Sequence, residues 1–182
     1  MGQVKQSADD TCDILCIGSG VGGLGAAIAA AHAGADVVVI EKAASLGGTT
    51  AYSGGQLWAG CTHLAQDAGL DDSPEQTRAY IDFLAEGTAV AELRDLFVDT
   101  GPQVIRLLCD LGVPLRLVRG LPDYYYPIAP GSRPEGRIIE IAPWPAGQLG
   151  SFQDRVSVSP YGAGWVTSQD RIDAGGQTPS SK

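Results

Sequence analysis

Two short apolar runs stand near the start of the chain, separated by a glycine-dense turn and an apolar segment of helical length. Residues 13–17 (Asp-Ile-Leu-Cys-Ile) are too few for a helix and rich in β formers, which predicts a buried strand. Residues 36–40 (Asp-Val-Val-Val-Ile) predict a second. Between them, residues 24–33 are helix formers with almost nothing polar except His32, and Gly34 closes that helix. Further on, Ser73-Pro74-Glu75-Gln76 has the form of a helix start: Ser73 as N-cap, Pro74 at the first position, Gln76 completing a capping box. A helix is expected to follow over residues 77–87. A second is expected over residues 90–100 with Leu93, Leu96 and Phe97 on one face. Gly101-Pro102 then breaks the pattern, and a third helix resumes through Val104, Ile105, Leu108 and Leu111 until Gly112. These stripes are read as core. Residues 115–118 and 136–141 predict strands on either side of a loop holding Pro122-Asp123-Tyr124-Tyr125-Tyr126-Pro127. Residues 43–60 show no period and predict loop. The chain thus divides into a polar lead (1–11), a body (12–161) and a Gly/Ser/Gln/Thr-rich tail (162–182) expected to be poorly ordered.

The turn after the first strand changes this picture from a fold to a chemistry. Gly18-Ser19-Gly20-Val21-Gly22-Gly23 fits G-x-G-x-x-G, and it joins strand to helix as that motif requires. Gly18 permits the tight turn, Gly20 lets backbone approach a pyrophosphate, and Gly23 lets helix and strand pack closely. The helix start offers unpaired N–H groups and a positive dipole end to phosphates. Glu41, at the end of the second strand, is placed to accept hydrogen bonds from ribose hydroxyls. Its charge disfavours a 2′-phosphate, which leaves NAD or FAD. The fold class is α/β, a Rossmann-like nucleotide-binding domain that is incomplete: one β-α-β unit followed by a helical segment.

Composition narrows the remaining classes. Of 182 residues 44% are hydrophobic and 18% charged, the proportions of a globular protein. The net charge of −9 argues against nucleic acid or a basic membrane anchor. No secretory leader or run of 18 apolar residues is present, so no transmembrane segment is expected and cytoplasmic residence follows. Cys12, Cys16, Cys61 and Cys109 form no C-x-x-C pair, and His32 and His63 alone build no zinc spacing. The cysteines are read as small buried hydrophobes, and no metal site is expected.

The loop after the second strand carries Gly47-Gly48-Thr49-Thr50-Ala51-Tyr52-Ser53-Gly54-Gly55, with Trp58 beyond it. With the fingerprint, these residues resemble the N-terminal part of the FAD-dependent flavoproteins that include fumarate reductases and 3-ketosteroid Δ1-dehydrogenases. The dehydrogenase branch matches better: Pro122-Asp123-Tyr124-Tyr125 and Gly136-Arg137 resemble its later elements. The resemblance implies FAD held without a covalent bond, since no histidine lies in the loop where the succinate dehydrogenase branch carries one. It implies a cofactor-binding set of Gly18, Ser19, Gly20, Gly22, Gly23, Glu41, Lys42, Gly47, Gly48, Thr49, Thr50, Ser53 and Gly54. Within it Glu41 would meet the adenosine ribose, and residues 47–54 the pyrophosphate and isoalloxazine. It implies Tyr124 as an active-site residue, polarising a partner tyrosine that takes a proton while flavin takes a hydride, with a small molecule of the 3-ketosteroid type as substrate.

The resemblance covers about residues 10–160, and family members run to several hundred. A truncated N-terminal portion is therefore expected, lacking the substrate domain and the partner tyrosine. A fumarate-reductase-like flavoprotein and a non-catalytic nucleotide-binding remnant remain as alternatives.

Overall fold

A computed structural model of the chain describes residues 11–159, 167–173 and 175. The polar lead, apart from Thr11, and most of the expected tail lie outside these residues. The chain divides into two units, Met1–Gly54 with Ala146–Ala163, and Gly55–Pro145 with Gly164–Lys182.

The first unit is built on the expected β-α-β. Strand β1 (Ile14–Ile17) and strand β2 (Val37–Ile40) run parallel, in register from Ile14↔Val37 to Ile17↔Ile40. Helix α1 (Val21–His32) starts inside the fingerprint, earlier than its helix formers suggest, because Gly20 is already the N-cap and its carbonyl accepts from Leu24 N (2.9 Å). Gly22 and Gly23 are therefore helical. Gly34, at φ +91°, ends the helix in a conformation open to glycine. A 3₁₀ turn at Gly48–Tyr52 follows where only loop was expected. The returning segment Ala146–Arg155 is two short 3₁₀ pieces broken at Gly150, and it bonds back through a bridge between Leu46 and Val156. Little of this unit's apolar surface is covered. Cys16 and Ala27 are buried, whereas Ile17 is 79% exposed and Leu15, Val21, Leu24 and Ile40 are exposed with it. A two-stranded sheet with one helix has too few layers to close a core.

The second unit holds strand β3 (Gln56–Trp58), helices α2 (His63–Asp67), α3 (Pro74–Ala85) and α4 (Ala91–Asp110), strands β4 (Leu115–Leu117) and β5 (Ile138–Ile141), and helix α5 (Ser168–Asp173). Its antiparallel sheet has the order β3-β5-β4, with Leu57 and Leu117 both opposite Ile139. β3 was expected to be loop; its extended form comes from pairing with β5, which no local pattern announces. Ala59, Ile105, Leu115 and Ile139 form the core against the sheet.

Ser73 caps α3 as expected, its Oγ accepting from Gln76 N (3.2 Å). Gln76 does not complete the capping box: its Oε1 accepts from Arg133 instead (3.0 Å). The expected break at Gly101-Pro102 does not occur, and α4 runs through both residues. Pro102 removes one helical donor, but Val98 and Ile105, on either side of it, are both buried, and this shared face outweighs one lost bond. Leu93, Leu96 and Phe97, expected in the core, are exposed. α3 and α4 are tied by Arg78 to Asp95 and Asp99 (3.0 and 2.7 Å) and by Arg94 to Asp82 (2.7 Å). Within the expected tail, α5 is helical, and the buried Glu140 of β5 accepts from Ser168 N (2.7 Å) and from Arg116 (2.9 Å). Among the described residues, no helix is long and apolar enough to cross a membrane.

Two glycines of α1 should respond to alanine in opposite directions. A Cβ at Gly23 would overlap the Gly18 carbonyl, so Gly23→Ala should destabilise the first unit by about 3 kcal/mol. A Cβ at Gly25 meets nothing within 4 Å, so Gly25→Ala should stabilise by about 0.5–1 kcal/mol. Urea midpoints of the two variants give the signs directly.

Candidate functional site

In the first unit the glycine turn, the end of β2 and the loop after it are bonded into one cluster. Gly18 adopts φ +100°, and its N–H donates to the Ile40 carbonyl (2.7 Å), so the turn is fixed to the end of the neighbouring strand. Ser19, 3% exposed, then joins three segments. Its N–H and Oγ both donate to Glu41 Oε2 (2.8 and 2.6 Å), and its Oγ accepts from Gly47 N (2.9 Å). Glu41 Oε1 accepts from Ala43 N (2.8 Å). Thr50 Oγ1 accepts the first N–H of α1, from Val21 (3.0 Å), and Gly48 comes within van der Waals reach of the space beside Gly20.

These donors hold the Glu41 carboxyl down at about 2, well below the usual carboxylate range: the Ala43 amide contributes most, then the Ser19 hydroxyl and amide, against a small opposing effect of desolvation. An ionised carboxylate has about four lone-pair positions; Ser19 and Ala43 take three of them, with a weaker contribution from the Lys42 amide. Beyond the cluster the turn is open. A Cβ at Gly18 or at Gly22 would meet nothing within 4 Å, and one at Gly20 would make only ordinary contact with Thr50 and Gly47. Among the described residues the amides of Gly22 and Gly23 have no acceptor, and no acidic side chain occupies the first turn of α1. The protein thus presents donors, a positive dipole end and free space at one place, which fits a diphosphate.

Of the expected cofactor set, Gly18, Ser19, Gly20, Gly22, Gly23, Glu41, Gly47, Gly48 and Thr50 come together here. Lys42, Thr49 and Gly54 are exposed, the Lys42 amide adding the smallest of the favourable effects on Glu41, and Ser53 Oγ donates to the Thr50 carbonyl (2.8 Å).

Tyr124 lies in the second unit. Its ring is 88% exposed and meets Tyr125 edge-on at 5.1 Å. It stands between two clefts, one of about 590 Å³ beside Gln56, Leu121 and Arg171, the other of about 330 Å³ and almost wholly apolar beside Trp58, Leu84 and Phe97. Behind it is a buried charge cluster that sequence reasoning missed. Arg137, whose side chain is fully buried, donates to Asp72 through Nε and a terminal nitrogen (2.8 and 2.7 Å), and to Asp123 Oδ2 and the Gly131 carbonyl (2.9 and 3.0 Å). Its guanidinium stacks over Trp58 and Tyr80. Burial alone would push the Asp72 carboxyl up, but the bonds from Arg137 and from the Cys61 and Ser73 amides bring it below its ordinary value. The only sequence signals were the Pro122-Asp123 and Gly136-Arg137 pairs, and nothing local linked either to Asp72. The same surroundings disfavour the Cys61 thiolate, the thiol being pushed up by burial and by Asp72. Among the described residues no group of three or more His, Cys, Asp or Glu could hold a metal.

The chain belongs to the FAD binding domain family, whose pattern it matches over residues 13–179, and FAD is that family's cofactor. It is 39% identical over 140 residues to the 3-oxosteroid 1-dehydrogenase of Mycolicibacterium smegmatis, covering 76% of this chain and 24% of that protein. It is 42% identical over 131 residues to the 4-oxocyclohexanecarboxylate 2-dehydrogenase of Sinomonas cyclohexanicum, covering 71% and 23%. The crystal structure of 3-ketosteroid Δ1-dehydrogenase from Sterolibacterium denitrificans, in complex with 1,4-androstadiene-3,17-dione, superposes with a TM-score of 0.78 at 26% identity, over 88% of this chain and 29% of that one. The chain thus spans about a quarter of the length of the curated relatives it matches.

The Glu41 anchor has a definite acid dependence. Its folded pKa lies below its unfolded one, so its stabilising contribution is complete above about 4.5 and is lost as pH falls toward about 2. Glu41→Gln should therefore show a shallower loss of stability than the parent chain across that interval, read from denaturant midpoints at successive pH values. Parallel curves would mean that the carboxylate anchors nothing.

Proposed function

We propose that this chain supplies the adenosine-diphosphate side of the flavin site in a dehydrogenase that desaturates a 3-ketosteroid ring beside its carbonyl. The observation that carries this reading is the open glycine turn with unpartnered amides beside a tethered carboxylate, in a chain about 40% identical to 3-oxosteroid 1-dehydrogenases. In this reading the backbone of Gly18, Ser19, Gly20, Gly22 and Gly23 lies against the diphosphate, whose charge suits the N-terminal end of α1. Glu41 accepts from the adenosine ribose hydroxyls with the lone pairs left over by Ser19 and Ala43. Lys42, Gly47, Gly48, Thr49, Thr50, Ser53 and Gly54 line the remainder, and FAD is held without a covalent bond. Bound flavin supplies the acceptor for the hydride that leaves the carbon β to the carbonyl. Tyr124 donates a hydrogen bond to a second phenol, the base that removes the α proton; a phenol of ordinary pKa near 10 needs such help.

The likeness to the Sinomonas enzyme supports a second reading, in which the substrate is a smaller six-membered ring ketone. A fumarate-reductase-like activity is the third. Purified chain mixed with FAD should retain a flavin spectrum through gel filtration, and Gly20→Val should weaken that binding by about tenfold or more. A chain that stays colourless would leave only the non-catalytic remnant. Assay of the FAD-loaded protein with a 3-ketosteroid and an artificial acceptor, with 4-oxocyclohexanecarboxylate, and with fumarate and a reduced dye separates the three substrates. If the steroid reaction is observed, Tyr124→Phe should lower its rate by about 10²-fold or more.

A further inference from the structure

Tyr124 holds its place without any bond from its own phenol: among the described residues the hydroxyl has no partner, and the ring is 88% exposed. What holds it is the backbone on either side. On the preceding side Asp123 is 3% exposed, and its carboxylate accepts from three donors. Its Oδ1 accepts from Trp58 Nε1 (2.8 Å), and its Oδ2 accepts from Arg133 N and Arg137 (2.8 and 2.9 Å). Its own N–H donates to the Arg133 carbonyl (2.9 Å), and its carbonyl accepts from Tyr126 N (3.0 Å). On the following side the Tyr125 carbonyl accepts from Ile128 N and Ala129 N (2.8 and 3.0 Å). Beneath both, the buried Tyr80 hydroxyl lies against the amides of Tyr125 and Tyr124, and the Tyr80 ring stacks on Trp58 at 5.6 Å.

Such bonding is more than an exposed loop needs. A buried carboxylate must be paired, but one partner and water would serve; here the pairing converges on the residue next to the exposed phenol. We propose that Asp123 is a positioning residue for Tyr124: held by Trp58, Arg133 and Arg137, it fixes the backbone from which the Tyr124 phenol projects between the two clefts, leaving only the side-chain torsions free. This rests on the reading that Tyr124 takes part in the reaction. Asp72 supplies the internal contrast. It pairs with the same Arg137 guanidinium but makes no bond to the Tyr124 loop.

The test needs neither flavin nor substrate. The full chain is labelled with 3-fluorotyrosine, the Tyr124 fluorine resonance is assigned by its loss in Tyr124→Phe, and Tyr52 reports on the first unit. Amide exchange is followed at Tyr124 and Tyr125. Asp123→Asn should shift or broaden the Tyr124 resonance and speed exchange at both amides by about tenfold or more, the effect of one charge-assisted bond lost to local opening. Asp72→Asn, which injures the same cluster, should leave the Tyr124 resonance in place. Equal changes in both variants, or none in either, would overturn the proposal, because Asp123 would then serve stability alone. If Asp123→Asn does not fold, Trp58→Phe removes one donor to the same carboxylate and must reproduce the Tyr124 shift, or the proposal fails. A normal result here with a fully active Tyr124→Phe enzyme would sink the catalytic reading while leaving the positioning intact.

Discussion

One buried guanidinium organises the second unit. Arg137 is removed from water altogether, and an unpaired charge there would cost several kcal/mol. Its surroundings meet that demand by bringing Asp72, Asp123 and the Gly131 carbonyl to it and by placing Trp58 and Tyr80 against its face. These five partners come from four stretches of chain: β3, the approach to α3, α3 itself, and the loop that bears Tyr124. Pairing the charge therefore assembles the unit, and the exposed phenol is the part of that assembly presented to solvent.

The first unit solves a related problem with the opposite charge. Glu41 ends β2 and could have remained a solvated carboxylate; instead Ser19 and Ala43 draw it over the glycine turn. Ser19 then passes the connection on to Gly47, so one hydroxyl fixes the fingerprint, the strand end and the following loop in a single arrangement. The glycines in this arrangement divide into those the protein needs for itself and those it does not. Gly23 has no room for a side chain because of the Gly18 carbonyl, whereas Gly22 faces open space. Among the described residues the Gly22 and Gly23 amides beside that space have no acceptor, an arrangement that fits a diphosphate.

Both units keep apolar surface in water. Ile17, Leu15, Val21 and Ile40 around the β-α-β, and Leu93 and Leu96 on α4, are exposed in a chain whose match covers about a quarter of its curated relatives. A parallel sheet is normally covered on both faces. The unit has the internal bonding of a nucleotide-binding turn and the surface of part of a larger layer.

The sequence by itself determined what depends on neighbours a few positions apart. The two β runs, the glycine turn that must take a positive φ, the Ser73 cap and the acid at the end of β2 were legible, since backbone preference and short spacing decide them. So was the resemblance, which rests on runs of adjacent residues. Tertiary structure decided the rest. β3 is a strand only because Ile139 and its neighbours pair with it, α4 continues past Pro102 because buried residues on both sides share one face, and Gln76 leaves its capping box for Arg133. The site divides along the same line: the position of Glu41 at the end of β2 was legible, but its tether to Ser19, and through it to Gly47, was not. The Arg137 cluster is the extreme case, joining Asp72 and Arg137 across 65 positions. No local pattern marks such a pair, because the cost of burying a charge exists only once the chain has folded around it.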